Sequence, residues 1–137
     1  LKLFVDTWGW LALAEPLDRK HAAALRCYEE YSGSGRVVTS NYVLDETITL
    51  LFLRLRFDAA YDFSKAVLES SFVAVEVVTE ARFRKAFDLR RRFADKPNIS
   101  FTDLTSIAIM TEMKMTDILT ADAHFAQVGL GFQLLPN

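Results

Sequence analysis

The chain has 137 residues, 51% apolar and 25% charged, and its length favours one domain, 1–137, able to fold on a hydrophobic core without covalent staples. Its one cysteine, Cys27, excludes an internal disulfide and a cysteine zinc site; it reads as a small helix residue in a protein of the reducing cytoplasm. The formal net charge of −2 excludes a protein that grips duplex DNA by phosphate contacts alone, so any nucleic-acid contact is local, metal-assisted or shared with a partner.

The opening "LKLFVDTWGWLALAEP" superficially resembles a secretory signal. Asp6 interrupts its apolar run, however, and no clean small-x-small cleavage site follows. No apolar run approaches the ~18 residues that suggest a membrane span. "KLFV" predicts a short buried strand ending at Asp6, and "TWGWLALA" a helix stopped by Pro16. "DRKHAAALRCYEEYS" predicts a second helix, with Asp18 as its N-cap and Gly33 beyond its end. "RVVTS" is a strand. "NYVLDETITLLFLRL" follows it as a helix, with Val43, Thr47, Leu50 and Leu51 at helical spacing. "DAAYDFSKAVLES" continues the helical pattern, and the β-branched run "FVAVEVV" is a strand. "EARFRKAFDLRRRFAD" predicts an amphipathic helix with Phe83, Ala86, Phe87 and Phe93 on its buried side, broken by Pro97. "TDLTSIAIMTEM" is a further helix, "DILTA" a strand, "DAHFAQV" a helical turn and "FQLLP" a last strand.

Strands alternating with helices imply parallel crossovers, and nearly all-apolar strands imply helices on both faces. The expected fold is therefore a three-layer α/β/α sandwich with a mainly parallel sheet of four or five strands. No linker, repeat or low-complexity segment divides it.

Sites in such folds form at the carboxyl ends of the strands. Asp6 follows the first strand, and Asp122 follows "ILTA". Glu46 lies in the helix after "RVVTS", and Asp103 lies in the first turn of its helix. Each acid also has a structural reading. Asp6 and Asp122 suit helix caps, Glu46 suits a solvated helix face, and Ser100 with Asp103 is spaced as a capping box. The joint pattern carries the chemistry. Like charges ~4 Å apart repel by about 4 kcal/mol at an effective dielectric of 20, so clustered carboxylates protonate or recruit cations. Oxygen donors suit Mg²⁺ or Mn²⁺, and a divalent cation that also takes phosphate oxygens points to phosphodiester hydrolysis. Thr7, Ser40, Asn41 and Thr120 stand beside these acids as candidates to hydrogen-bond them or a substrate phosphate.

With "FVDTWGWLAL", "TSNYVLDETITLL", "ISFTDLTSIAIM" and "ILTADAHFAQVGLGFQLLP" in this order, the chain resembles the PIN-domain ribonucleases, specifically the VapC-type toxins of toxin–antitoxin pairs. The resemblance spans nearly the whole chain. It maps the family's acids onto Asp6, Glu46, Asp103 and Asp122, the hydroxyl before the last acid onto Thr120, and the pattern's end onto Phe125 and Gly129. It implies a parallel sheet flanked by helices, Mg²⁺- or Mn²⁺-dependent RNA cleavage, a homodimer, and neutralisation by a small antitoxin. One departure is "TEMKMT" before "DILTAD", where family members often carry a glycine.

The remaining signals have plainer readings. The basic run "RFRKAFDLRRRF" tracks RNA or, more simply, is a solvated face with Arg84–Asp88 and Asp88–Arg92 pairs. His124 either shuttles protons near Asp122 or, more simply, is a surface histidine, as His21 is; Trp8, Trp10, Leu11 and Leu13 read as core packing rather than a groove for an antitoxin helix. A response-regulator receiver lacks its paired acids and terminal lysine here, and a haloacid-dehalogenase-type phosphatase lacks the second acid of Asp-x-Asp. The rival from another class is a PIN-like protein that binds RNA or a partner without cleaving.

Overall fold

The computed structural model of the chain describes residues 1–31 and 36–137, so Gly33, expected to end the second helix, lies outside the described residues. The elements run β1 (Leu3–Val5), α1 (Thr7–Ala14), α2 (His21–Tyr31), β2 (Val37–Ser40), α3 (Asn41–Arg54) and α4 (Phe57–Glu69). They continue through β3 (Val73–Glu76), α5 (Glu80–Arg92), α6 (Phe101–Glu112), β4 (Asp117–Leu119), α7 (His124–Gln127) and β5 (Gln133–Leu135).

Among the described residues the strands form one five-stranded sheet, ordered β3-β2-β1-β4-β5, and every pairing is parallel. Helices cover it on both faces, giving the expected α/β/α sandwich. The first two crossovers step outward from β1 through β2 to β3. The next returns across the sheet, so β4 pairs with the other side of β1. The chain reverses direction between β1 and β4, and a crevice opens at their carboxyl ends. Leu3, Phe4 and Val5 are fully buried, as the centre of a sheet covered on both faces requires.

Local chemistry sets the ends of the elements. Ser40 caps α3 by accepting the Val43 N–H at 3.1 Å, and Thr79 caps α5 by accepting that of Arg82. Asp18 does not cap α2, contrary to expectation. Its carboxylate accepts the Lys20 N–H at 2.7 Å in a turn, and the helix starts at His21. Gly9 lets α1 lie directly on the sheet, because a Cβ there would stand 2.7 Å from the Leu119 carbonyl oxygen.

The α5 reading needs correction. Ala86, Leu89 and Phe93 are buried, but Phe83 and Phe87 are 43% and 66% exposed. α5 packs against α6 along the Ala86–Leu89 side, and Phe83 lies against the half-buried Phe101, with ring centres 4.9 Å apart. The basic run is largely structural. Arg82 binds Glu112 and Glu76, Arg84 pairs with Glu80 rather than Asp88, and Arg92 lies over the Phe93 ring. Arg90 donates to the carbonyls of Phe93, Lys96 and Ile99, which fastens the loop leading into α6. Trp10 and Leu11 are buried and Trp8 and Leu13 half-buried, so this segment is mainly packing. No helix among the described residues is long and apolar enough to cross a membrane.

Candidate active site

The crevice between β1 and β4 is an open pocket of about 520 Å³ whose lining includes Asp6, Glu46, Asp103 and Asp122. Four separate segments thus bring their acids to one place. Asp6 occupies the N-cap position of α1 without using its side chain as a cap, so the carboxylate is left to the pocket. It is 5% exposed, and its Oδ2 accepts the Thr120 hydroxyl at 2.9 Å. Thr120 accepts the Asp122 N–H in turn, at 3.0 Å, so one buried hydroxyl ties the two acids that end β1 and β4.

Asp103 stands both at the capped start of α6 and in the crevice. Ser100 caps α6 by accepting the Asp103 N–H at 3.0 Å, and the same first turn carries the buried Asp103 side chain into the crevice. A carboxylate oxygen of Asp103 lies within 4.8 Å of one from Asp122. Two buried hydroxyls of this apolar helix are satisfied locally. The Thr105 and Ser106 hydroxyls donate to the Thr102 carbonyl. Glu46 is exposed at the pocket wall, and its neighbour Thr47 donates to Thr7 at 3.3 Å, fixing α3 against α1.

The electrostatics follow from this crowding. Burial pushes the Asp6 carboxyl up to about 6, against the pull of the Thr120 hydroxyl and the Thr7 amide; the charges of Asp122 and Glu46 add to the effect of burial. Asp103 is pushed up to about 8, first by burial and then by the charges of Asp6 and Asp122. Arg54 is the only permanent cation among the described residues that line the pocket. A protein that gathers carboxylates this closely and leaves them this short of positive charge can hold a divalent cation.

Of the four companion residues, Thr120 touches the acids directly and Thr7 lines the pocket. The other two work elsewhere. Ser40 is spent on its cap, and the Asn41 side chain accepts the Val78 N–H at 2.8 Å, holding α3 to the end of β3. For His124 the plainer surface reading fails. His21 bonds the Ala12 carbonyl, and His124 turns into the pocket with its Nδ1 3.0 Å from Asp122 Oδ1. The signal for His124 was its place two residues after Asp122, at the start of a helical turn. Trp8, Arg54 and Asn98 also line the pocket and were not foreseen there.

A family model described as PIN domain matches residues 3–130. The 23S rRNA-specific endonuclease VapC20 of Mycobacterium tuberculosis is 36% identical over 127 residues, which are 93% of this chain and 94% of that protein. The crystal structure of M. tuberculosis VapC20, a sarcin–ricin-loop-cleaving toxin, superimposes with a TM-score of 0.82 at 34% identity, over 93% of this chain and 95% of that one. The crystal structure of FitAcB from Neisseria gonorrhoeae gives a TM-score of 0.69 at 13% identity, covering 98% and 96%, a likeness of fold alone.

Proposed function

This chain belongs to the PIN-domain family, and from that premise we propose that it is a divalent-metal-dependent endoribonuclease, the toxin of a toxin–antitoxin pair, acting in the cytoplasm as one domain over 1–137. The observation that carries this reading is the buried pair Asp6 and Asp103, both with raised proton affinity, beside Asp122 and Glu46 at the point where the sheet reverses.

Asp6 and Asp103 are the central ligands for Mg²⁺ or Mn²⁺, and Asp122 completes the set. The donor chemistry fits such a cation, since hard carboxylate oxygens dominate and burial leaves them short of compensating charge. When bound, the cation lowers the pKa of water and stabilises charge on the scissile phosphate. The chain's own residues do the positioning. The Thr120 hydroxyl holds Asp6 and the Asp122 backbone in register. Glu46, exposed at the wall, orients the attacking water and takes up its proton. Thr7 fixes α1 against α3, and with it the distance between Asp6 and Glu46. Arg54 meets an RNA phosphate on the open side.

A small antitoxin and a second copy of the chain are the partners of this reading. Exposed aromatic faces, Phe52–Phe57–Tyr61 on α3 and α4 and Phe83–Phe87 on α5, offer apolar surface for such contacts.

The test is cleavage of RNA by the purified chain with and without Mg²⁺ or Mn²⁺. A 23S rRNA fragment carrying the sarcin–ricin loop is the first substrate, because the relative VapC20 is a sarcin–ricin-loop-cleaving toxin. Asp6→Asn should lower the rate by roughly a thousandfold, as loss of an electrostatic group at a reaction centre does, and leave the melting curve cooperative. Metal-independent cleavage, or full activity in Asp6→Asn, overturns the assignment.

A further inference from the structure

His124 is the polar group in the pocket that four carboxylates leave unexplained. Asp122 Oδ1 accepts the His124 backbone N–H at 2.9 Å, a turn that folds the imidazole back over the pocket. Its Nδ1 is buried and makes no hydrogen bond among the described residues. Asp122 Oδ1 lies 3.0 Å from that nitrogen and Asp103 Oδ2 3.8 Å, but neither contact is aligned as a hydrogen bond.

Both neutral tautomers make this arrangement costly. With the proton on Nδ1, a buried N–H lacks an acceptor. With the proton on Nε2, the Nδ1 lone pair faces carboxylate oxygens. A cation between them resolves the second case, because every lone pair then points at positive charge. The spacing suits this. Neighbouring ligands around an octahedral cation with arms of about 2.1 Å lie roughly 3 Å apart, and Nδ1 stands 3.0 Å from Asp122 Oδ1. One donor atom each from Asp103, Asp122 and His124 lie within 4.8 Å of one another.

We infer that His124 Nδ1 is a direct ligand of the divalent cation beside Asp103 and Asp122, and that it tilts the pocket from Mg²⁺ toward first-row transition cations such as Mn²⁺. The inference rests on the carboxylate metal site proposed above. It goes further by adding a nitrogen donor, which changes the ion the pocket prefers. Mg²⁺ is hard and favours oxygen and water, whereas imidazole binds first-row cations better. Nε2 then carries the proton on the solvent side, where the side chain is 27% exposed.

Pulsed electron paramagnetic resonance on the full chain with Mn²⁺ alone tests this directly. Bound Mn²⁺ should show a directly coordinated nitrogen whose coupling changes when the histidines carry ¹⁵N. The coupling should vanish in His124→Gln and persist in His21→Gln. Titration calorimetry should show the ratio of Mn²⁺ to Mg²⁺ affinity falling by about tenfold in His124→Gln, within the range seen when the surroundings of a metal are altered. Mn²⁺ bound without histidine coupling, or an unchanged affinity ratio, overturns the ligation by His124 and leaves the carboxylate site standing. Failure of wild type to bind Mn²⁺ overturns both. The isotope readout needs no substitution, so it holds even where a variant folds poorly.

Discussion

Thr120 shows how much one hydroxyl decides. It donates to Asp6 and accepts from the Asp122 backbone, so it favours the charged form of Asp6 while holding two strand ends in register. Thr120→Val keeps the shape and removes both bonds. Because a hydrogen bond to the carboxylate is lost, the proton affinity of Asp6 rises further above its already raised value of about 6. Cleavage by Thr120→Val should therefore fall about tenfold near neutrality, as one charge-assisted bond is lost, and recover part of the deficit as pH rises. A pH–rate profile with its acid limb shifted upward is the expected result, and an unshifted limb contradicts the role. The sequence placed Thr120 beside Asp122, but a residue's neighbours along the chain do not reveal that its hydroxyl reaches an acid 114 positions away.

At the scale of elements, two backbone positions decide how helices seat on the sheet. Gly9→Ala places a methyl group 2.7 Å from the Leu119 oxygen and 2.9 Å from Leu119 Cγ. α1 must then lift from β4, which separates Asp6 from Thr120. Chemical denaturation should show a loss of about 1–3 kcal/mol, the usual cost of overpacking, with RNA cleavage reduced as well. Lys114 follows the C-cap of α6 and has φ of 56°, a left-handed conformation that glycine adopts without steric cost. This gives a physical meaning to the departure noted at "TEMKMT". Lys114→Gly should stabilise the chain by about 0.5–1 kcal/mol, read as a higher denaturation midpoint with unchanged cleavage.

Element types were legible because strands are apolar and short and α3, α5 and α6 open on Ser or Thr caps. The facing of α5 was not. Phe83, Ala86, Phe87, Leu89 and Phe93 spread apolar side chains around much of the helix, and only its packing against α6 selects Ala86 and Leu89 for the interior.

For the whole molecule, the pocket makes stability depend on pH and cation. The folded chain holds protons at Asp6 and Asp103 more tightly than the ordinary carboxylate value of 3.8, up to about 6 and about 8. A raised folded value contributes stability that is fully present below the unfolded value and is lost as pH rises through the folded ones. With chelator present, the melting temperature should therefore fall between about pH 4 and about pH 8. Adding Mg²⁺ or Mn²⁺ should restore it most at the upper end, where the ionised acids gain a partner. Asp103→Asn, neutral at every pH, should flatten the alkaline part of the curve. A flat wild-type curve in chelator contradicts the account of the pocket.

By itself, the sequence determined the alternation of strands and helices and singled out the candidate acids, because short apolar runs and cap residues act locally. Tertiary structure decided which polar side chains share a space. The reversal of strand order between β1 and β4 opens the crevice that unites Asp6, Glu46, Asp103 and Asp122. Tertiary packing also brings His124 against Asp122 in that crevice and spends Asn41 on the Val78 backbone. Burial and charge crowding, which raise the proton affinity of Asp6 and Asp103, arise only when distant segments meet, so no local pattern encodes them.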